Sequence, residues 1–216
     1  MCDRKVYVPS EIFFTTGIGI DKNKLTSFEM ALRDASIESN NIVNVSSILP
    51  PYCKIVSKEY GTKKLQPGQI VHCVLAKDQT DEPSRLVVAS IGVAVPKDRG
   101  KYGYLSEHHG FGQTKKVSGD YAEDIAATML ATTLGIDFDP ETAWKEREKI
   151  YKAGGQIFKT KNYTKSAVGD KRGRWTTVLA AAVLLPSYSA EELGERLSKL
   201  EKAYEEDMKS YFNARK

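Results

Sequence analysis

Apolar positions along the chain alternate between two periods. Glu11–Thr16 is rich in β-formers, as is Lys5–Val8, and with Pro9 and Ser10 between them the two read as strand, turn, strand. Gly17–Asp21 reads as a plain turn, too short and poorly placed for a dinucleotide fingerprint. From Leu25 to Ile37 the apolar residues Leu25, Phe28, Ala31, Leu32 and Ala35 recur at helical spacing. Thr26 and Glu29 fit a capping box there, with Leu25 and Met30 as its hydrophobic staple. Asn41–Leu49 returns to partial alternation and predicts one short strand, stopped by Pro50 and Pro51, which cannot donate to a ladder. Further strands follow at Cys53–Val56, Ile70–Ala76, Arg85–Val95 and Tyr102–Gly110, separated by a loop over Gly61–Gly68 and turns over Asp78–Ser84 and Pro96–Gly100. Gly92 marks a bulge or a close backbone approach. Strands in such quick succession predict an antiparallel meander.

In the second half, Asp120 and Glu123 open a helix in a capping-box pattern, Ile125, Met129, Leu130 and Leu134 face a core, and Gly135 supplies the C-cap. Pro140 starts a more polar helical stretch to about Lys152. Gln156–Val168 and Trp175–Leu185 read as strands around Gly169 and Asp170, the second apolar enough to be covered on both faces. Ser189 and Glu192 cap a last helix, whose stripe of Leu193, Leu197, Leu200, Tyr204, Met208 and Tyr211 suits a core or a subunit contact. Seven or so strands with helices that each need a sheet face predict an α+β fold, layered sheets with helices outside.

At 216 residues the chain is expected to form a single domain with a sizeable core. A net charge of +4, with lysines interspersed among acids, gives no stripe for nucleic acid. No apolar run reaches membrane-spanning length, and the N-terminus lacks a signal-peptide core. Cys2, Cys53 and Cys73 are odd in number without C-x-x-C spacing, so free thiols in the cytoplasm are expected.

The densest chemistry lies at Ser46-Ser47, where the predicted strand meets the double proline. A serine pair held rigidly can cleave its own chain. The Ser47 hydroxyl attacks the Ser46 carbonyl, the acyl group moves from nitrogen to oxygen, and the ester eliminates to leave dehydroalanine, which hydrolyses to a pyruvoyl group. That sequence needs strain, close positioning and an oxyanion donor, for which Asn41 offers an amide. The same serines are equally an ordinary polar strand end. A second polar concentration is Glu107, His108 and His109. Adjacent histidines on a strand point to opposite faces, which disfavours a shared metal even with His72 as a third ligand. No G-x-S-x-G elbow supports a serine triad. Glu107 is either a surface acid or, if buried, a proton donor with a raised pKa.

Asn41–Pro51, together with Val93–Asp98 and Glu107, resembles the pyruvoyl-dependent arginine decarboxylase family. The likeness runs from about Leu25 to Leu134 and resumes before Pro186. It implies a four-layer αββα sandwich with antiparallel or mixed sheets, to which the apolar stripe adds a C-terminal helical extension over 187–216. It implies a precursor that cleaves between Ser46 and Ser47 into a β chain (1–46) and an α chain (47–216), the latter beginning with pyruvoyl. By the same resemblance Asn41 assists processing and lines the site, and Glu107 donates a proton. Glu29, Leu32, Asn40 and Ile48 bind substrate, most readily arginine, which forms a Schiff base on the pyruvoyl group and leaves as agmatine and carbon dioxide. The covalent pyruvoyl group replaces pyridoxal phosphate, and no metal is implied. Subunits are implied to form trimers or hexamers with sites between neighbours. Glu29 departs from the family's aspartate, which bears on the substrate. Residues 141–155 and those after Pro186 lack a clear counterpart in short members. An N-terminal-nucleophile amidohydrolase built on Ser47 and an unprocessed, non-catalytic homologue are the alternative readings.

Overall fold

The computed structural model describes residues 8–137, 139, 144–145, 150–153, 156–185, 198, 202, 204 and 206. Val8–Leu185 forms one compact unit, and Met1–Tyr7 with Pro186–Lys216 a second. The elements of the first, in chain order, are β1 (Glu11–Asp21), α1 (Lys24–Ala35), β2 (Asn41–Asn44), β3 (Ile48–Leu49), β4 (Lys54–Val56), α2 (Lys58–Thr62) and β5 (Ile70–Thr80). Then come β6 (Leu86–Pro96), β7 (Gly103–Phe111), α3 (Lys115–Thr133), β8 (Trp144–Lys145), β9 (Ile150–Ala153), β10 (Gln156–Val168) and β11 (Trp175–Leu185).

Two sheets result, in the orders β2-β5-β11-β1-β4 and β3-β7-β6-β10-β9-β8. In the first, β11 lies antiparallel to β1 and β5, while β2 and β4 run parallel to β5 and β1. The second is antiparallel throughout. Period-two alternation sorts each strand's side chains into layers. Ile12, Phe14, Val178, Ala180, Ala182 and Leu184 meet Val87, Ala89, Ile91 and Val93 between the sheets. The Phe14 ring stacks on Tyr163 across that interface, centroids 4.0 Å apart. On the outer face of the first sheet, Phe13, Leu179, Ala181 and Val183 pack on Ala31, Ala35 and Ile37. α3 covers the other sheet through Ala126, Ala127, Leu130 and Ala131. The layers are therefore helix, sheet, sheet, helix, and β11 is covered on both faces as its composition predicts.

Several local readings are corrected. Gly17–Asp21 is no turn but the end of β1. The glycines there serve the helix above: a side chain at Gly17 would strike the Ala31 carbonyl, and one at Gly19 the Ser27 carbonyl. Gly19→Val is thus expected to destabilise the fold by about 3 kcal/mol, measured by urea unfolding, because the obstacle is backbone that cannot step aside. Helix α1 is capped by Asn23, whose Oδ1 accepts from Leu25 N at 2.9 Å and Thr26 N at 3.2 Å, so Thr26 and Glu29 form no capping box and Leu25 stays exposed. Helix α3 starts at Lys115 with Thr114 as its cap, ahead of Asp120. Glu123 is buried instead, accepting from Thr160 Oγ1 at 2.8 Å and Asn162 Nδ2 at 2.5 Å.

The meander is also broken. β5 belongs to one sheet and β6 to the other, and only β6 and β7 form an antiparallel neighbour pair as expected, because alternation within a strand does not tell which sheet it joins. The polar stretch after Pro140 contains strands β8 and β9 rather than a helix where it is described; the start of β10 offers β9 a ladder that outweighs local propensity. Gly92 is a close approach, to the Ala122 carbonyl, with the register on both sides uninterrupted. Gly135 does end α3 with φ 68°, Ile136 N donating to Ala131 O at 3.0 Å. The short helix α2 occupies part of the segment from Ser57 that carried no helix signal. Lys5–Tyr7 of the first expected strand and most of the C-terminal helix lie outside the described residues; Val8 is in no strand, and Ser198, Lys202, Tyr204 and Glu206 are helical. Among the described residues no helix is long and apolar enough to cross a membrane.

Candidate active site

The stretch Asn41–Leu49 is two short strands in different sheets, not one. β2 lies beside β5, and Val45 N extends that contact to Cys73 O at 3.0 Å. The chain then leaves the first sheet, and Ile48 and Leu49 pair with Tyr104 and Gly103 of β7 in the second. Ser46 and Ser47 span the gap. Ile48 N donates back to Ser46 O at 3.0 Å, closing a three-residue turn centred on Ser47, while Leu105 N donates to Ser47 O at 2.8 Å. Both carbonyls flanking the Ser46–Ser47 junction are thereby held from the protein side. Beyond Pro51 the corner is clamped: Tyr52 N donates to Arg99 O at 2.9 Å and Arg99 Nη2 to Cys53 O at 2.5 Å.

Next to this crossing lies a cavity of about 650 Å³. It exists because β2 covers β5 only over Ile70–Cys73, leaving the edge of β5 beyond Val74 without a strand neighbour on that side among the described residues. The cavity curls around that edge. Phe28, Leu32, Ile42, Leu75 and Lys77 line it from the α1 side, Asn40, Asn41 and Asn44 from the β2 side, and Glu107 and His109 from β7. Continuing the β3–β7 register by one residue sets Ser47 opposite Leu105, with Glu107 the next residue on the same face of β7. In an antiparallel ladder such diagonal neighbours lie roughly 7–8 Å apart.

The electrostatics suit proton handling. Glu107 is open to solvent at the cavity mouth, yet enough protein crowds its carboxyl that desolvation pushes it above the ordinary glutamate range, with the charge of His109 pulling partly back. Burial, and secondarily the Glu107 charge, pushes the Cys73 thiol up to about 12, so it stays neutral and is no nucleophile. Asn41 Nδ2 donates to Gly68 O at 2.9 Å and Asn40 Nδ2 to Gln66 O at 2.8 Å, so both amides fasten the 66–68 loop beside the cavity. Asn40 Oδ1 is buried without a hydrogen-bond partner. The donor on Ser46 O is a backbone N–H rather than the Asn41 amide.

Of the residues singled out in the sequence, Leu32, Asn40, Asn41 and Glu107 meet at the cavity. Ser46, Ser47 and Ile48 sit in the crossing, outside its lining. Glu29 lies apart from the lining as well, its Oε1 taking Arg33 Nε at 2.5 Å on the exposed side of α1. Phe28, Ile42, Asn44, Leu75, Lys77 and His109 also line the cavity, with no site role read from the sequence. Two of them had a legible signal: Phe28 precedes Leu32 by four on one helix face, and His109 follows Glu107 by two on one strand face. Among the described residues no cluster of three or more His, Cys, Asp or Glu is placed to hold a metal ion.

Comparison with known proteins agrees with this arrangement. Residues 11–189 match the family described as "Pyruvoyl-dependent arginine decarboxylase (PvlArgDC)". The match runs through 141–155, and residues 190–216 lie beyond it. A "Probable pyruvoyl-dependent arginine decarboxylase" of Chloroherpeton thalassium is 61% identical over 180 residues, 83% of this chain and 99% of that protein. "Pyruvoyl-dependent arginine decarboxylase 2" of Methanosarcina acetivorans is 57% identical over 180 residues, 83% of this chain and 98% of that protein. The "Pyruvoyl-dependent arginine decarboxylase" of Methanococcoides burtonii is 57% identical over 178 residues, 82% of this chain and 99% of that protein. With a serine pair strung between two sheets beside a cavity that holds a glutamate, and with this extent of likeness, the chain belongs to the pyruvoyl-dependent arginine decarboxylase family.

Proposed function

We propose that this chain is a self-processing decarboxylase that converts L-arginine to agmatine and carbon dioxide, using a pyruvoyl group made from Ser47. The observation that carries the reading is the Ser46–Ser47 junction between the sheets, with Ile48 N already on the Ser46 carbonyl oxygen. Attack by Ser47 Oγ on that carbonyl builds negative charge on the oxygen, and the Ile48 N–H is the donor in place to receive it. Elimination then releases the Ser46 carboxylate, and hydrolysis of the dehydroalanine loses ammonia.

The residues around position 47 fit the group. Ile48 and Leu49 anchor the new α-chain terminus in the β7 ladder, and Glu107 stands on the neighbouring strand. The pyruvoyl group supplies a ketone for the substrate amine and an adjacent carbonyl that draws electrons as carbon dioxide leaves. The protein's own residues do the rest. Glu107 gives a proton to the carbon that lost carbon dioxide, Leu32 and Phe28 line the path of the substrate's methylenes, and Asn40 and Asn41 hold the loop that bounds it.

The guanidinium requires a carboxylate; of the two acids on the first helix, Asp34 is taken by Ile18 N and Lys165 Nζ, which leaves Glu29. Its present partner Arg33 is solvent-exposed, so the pair is readily exchanged for a substrate guanidinium of the same shape. Glu29→Gln is therefore expected to raise KM for arginine about tenfold or more with kcat changed less, read from carbon dioxide release at varied arginine.

The cavity opens at a surface where Val43, Ile48 and Ile70 are exposed, which supports a homo-oligomer, a trimer or a pair of trimers, whose neighbouring subunit closes the site. We further propose one domain with a C-terminal helical extension, working in the cytoplasm. Denaturing electrophoresis of the purified protein tests the core of the proposal. Two fragments, 1–46 and 47–216, with carbon dioxide released from labelled arginine, are expected; an intact chain that decarboxylates arginine overturns it.

A further inference from the structure

Each decarboxylation exchanges a carbon–carboxylate bond for a carbon–hydrogen bond, so one proton enters the product per turnover. If Glu107 gives that proton, it is left as a carboxylate that must be recharged before the next turnover. Glu107 and His109 are alternate residues on one face of β7, and both line the cavity. The His109 side chain is 57% exposed and so reaches solvent beside Glu107, which is itself open at the cavity mouth. Its Nδ1 lies 3.3 Å from Asp78 Oδ2, on the strand of the facing sheet. Asp78 is itself fixed, because its Oδ1 accepts from Gln79 N at 2.8 Å and its side chain is only 18% exposed. A carboxylate on Nδ1 keeps the proton on that nitrogen and leaves Nε2 to exchange. His108 points the other way, bonded to Gln113 Oε1 at 2.7 Å and set against the Tyr121 ring, and takes no part.

We propose that His109, oriented by Asp78, carries protons from solvent to Glu107 between turnovers. The inference rests on the reading of Glu107 as donor. In the step, the imidazolium N–H of His109 passes its proton to the Glu107 carboxylate, directly or across one water. The neutral imidazole then takes a proton from water or buffer acid. No electrons are exchanged, and one solvent proton is consumed for each carbon dioxide released. The charged groups around His109 are Asp78 and Lys77 from β5, Glu107 from its own strand, and Arg85 just ahead of β6, whose guanidinium stacks over Phe111 two residues along the same face of β7; β6 itself has no charged residue over Leu86–Pro96. His109 acts through Glu107 and need not touch substrate.

The test uses the full-length, self-processed enzyme with His109→Ala, Asp78→Asn, Asp78→Glu and Glu107→Gln. His109→Ala is expected to lower kcat tenfold or more with KM within about threefold of wild type. Added imidazole should restore kcat saturably, most effectively as imidazolium. A wild-type kcat in His109→Ala, or a loss that imidazole leaves unchanged, overturns the proposal. Should His109→Ala fail to process, the Asp78 pair decides: kcat reduced in Asp78→Asn and recovered in Asp78→Glu is expected, and equal kcat in both overturns it. Glu107→Gln separates the two levels. An inactive Glu107→Gln beside a wild-type His109→Ala removes the relay alone, whereas a fully active Glu107→Gln removes the donor on which it rests.

Discussion

Ser47→Ala is expected to yield one full-length band on a denaturing gel, no reaction with carbonyl-trapping reagents, and carbon dioxide release at the level of a protein-free control. Alanine has no oxygen to attack the Ser46 carbonyl, and the acyl shift cannot start. The loss is total because a single missing atom blocks both the cut and the electrophile that follows from it. The fold should survive. The hydrogen bonds that hold this turn come from the backbone of Ile48 and Leu105 onto the carbonyls of Ser46 and Ser47, and alanine keeps both. A melting temperature close to wild type, alongside zero activity, therefore assigns the loss to chemistry. Edman degradation of the wild-type larger fragment distinguishes the amidohydrolase reading, since a free Ser47 amine sequences and a pyruvoyl terminus does not. A wild-type chain that stays uncut and releases no carbon dioxide from arginine would mark a non-catalytic member of the family.

How much of this was legible in the sequence depends on the range of the interaction concerned. Local patterning places the first half of β1, and α1, β6, β7 and β11, because their alternation or 3.6-residue repeat follows directly from which face is buried. The serine pair and Glu107 stood out by residue type. What patterning could not carry was pairing. Asn41–Leu49 reads as one strand, since nothing in Val45, Ser46 or Ser47 says that the residues on either side bond to different sheets. Yet that split gives the site its geometry, by suspending the scissile junction between the layers. Likewise Gly17 and Gly19 look like turn residues until α1 is laid across them, and Glu123 looks like a helix-capping acid until Thr160 and Asn162 arrive from a strand 37 and 39 residues away. His109 is masked by its neighbour: beside His108 it suggests a metal ligand, although strand alternation ties it to Glu107.

Glu107→Gln should separate making the enzyme from running it. Glutamine keeps the side chain's size, and Ser46–Ser47 is held by Ile48 and Leu105, so cleavage into two fragments is expected to proceed. Decarboxylation then lacks its proton donor, and kcat is expected to fall by about two to four orders of magnitude, followed as carbon dioxide from labelled arginine. The pH dependence has a definite sign. Burial raises the Glu107 carboxyl above its ordinary value, and the donor works only when protonated. Wild-type turnover should therefore persist above pH ~4.3, the unperturbed glutamate value, and decline as pH rises through the raised one. His109 opposes the raise, so its removal moves the decline to higher pH. Stability follows the same shift. A carboxyl whose folded pKa is raised favours the native state fully below its unfolded value, and that contribution is lost as pH rises through the folded one. At neutral pH the wild-type fold carries a partly desolvated carboxylate that Glu107→Gln does not. The variant is expected to melt slightly above wild type at pH 7, the gain being small because the carboxyl is still reached by water at the cavity mouth, and the gain should vanish by pH 4. A variant less stable than wild type at pH 7, or one whose activity is retained, would show that Glu107 is an ordinary surface acid and that the proton comes from elsewhere in the cavity.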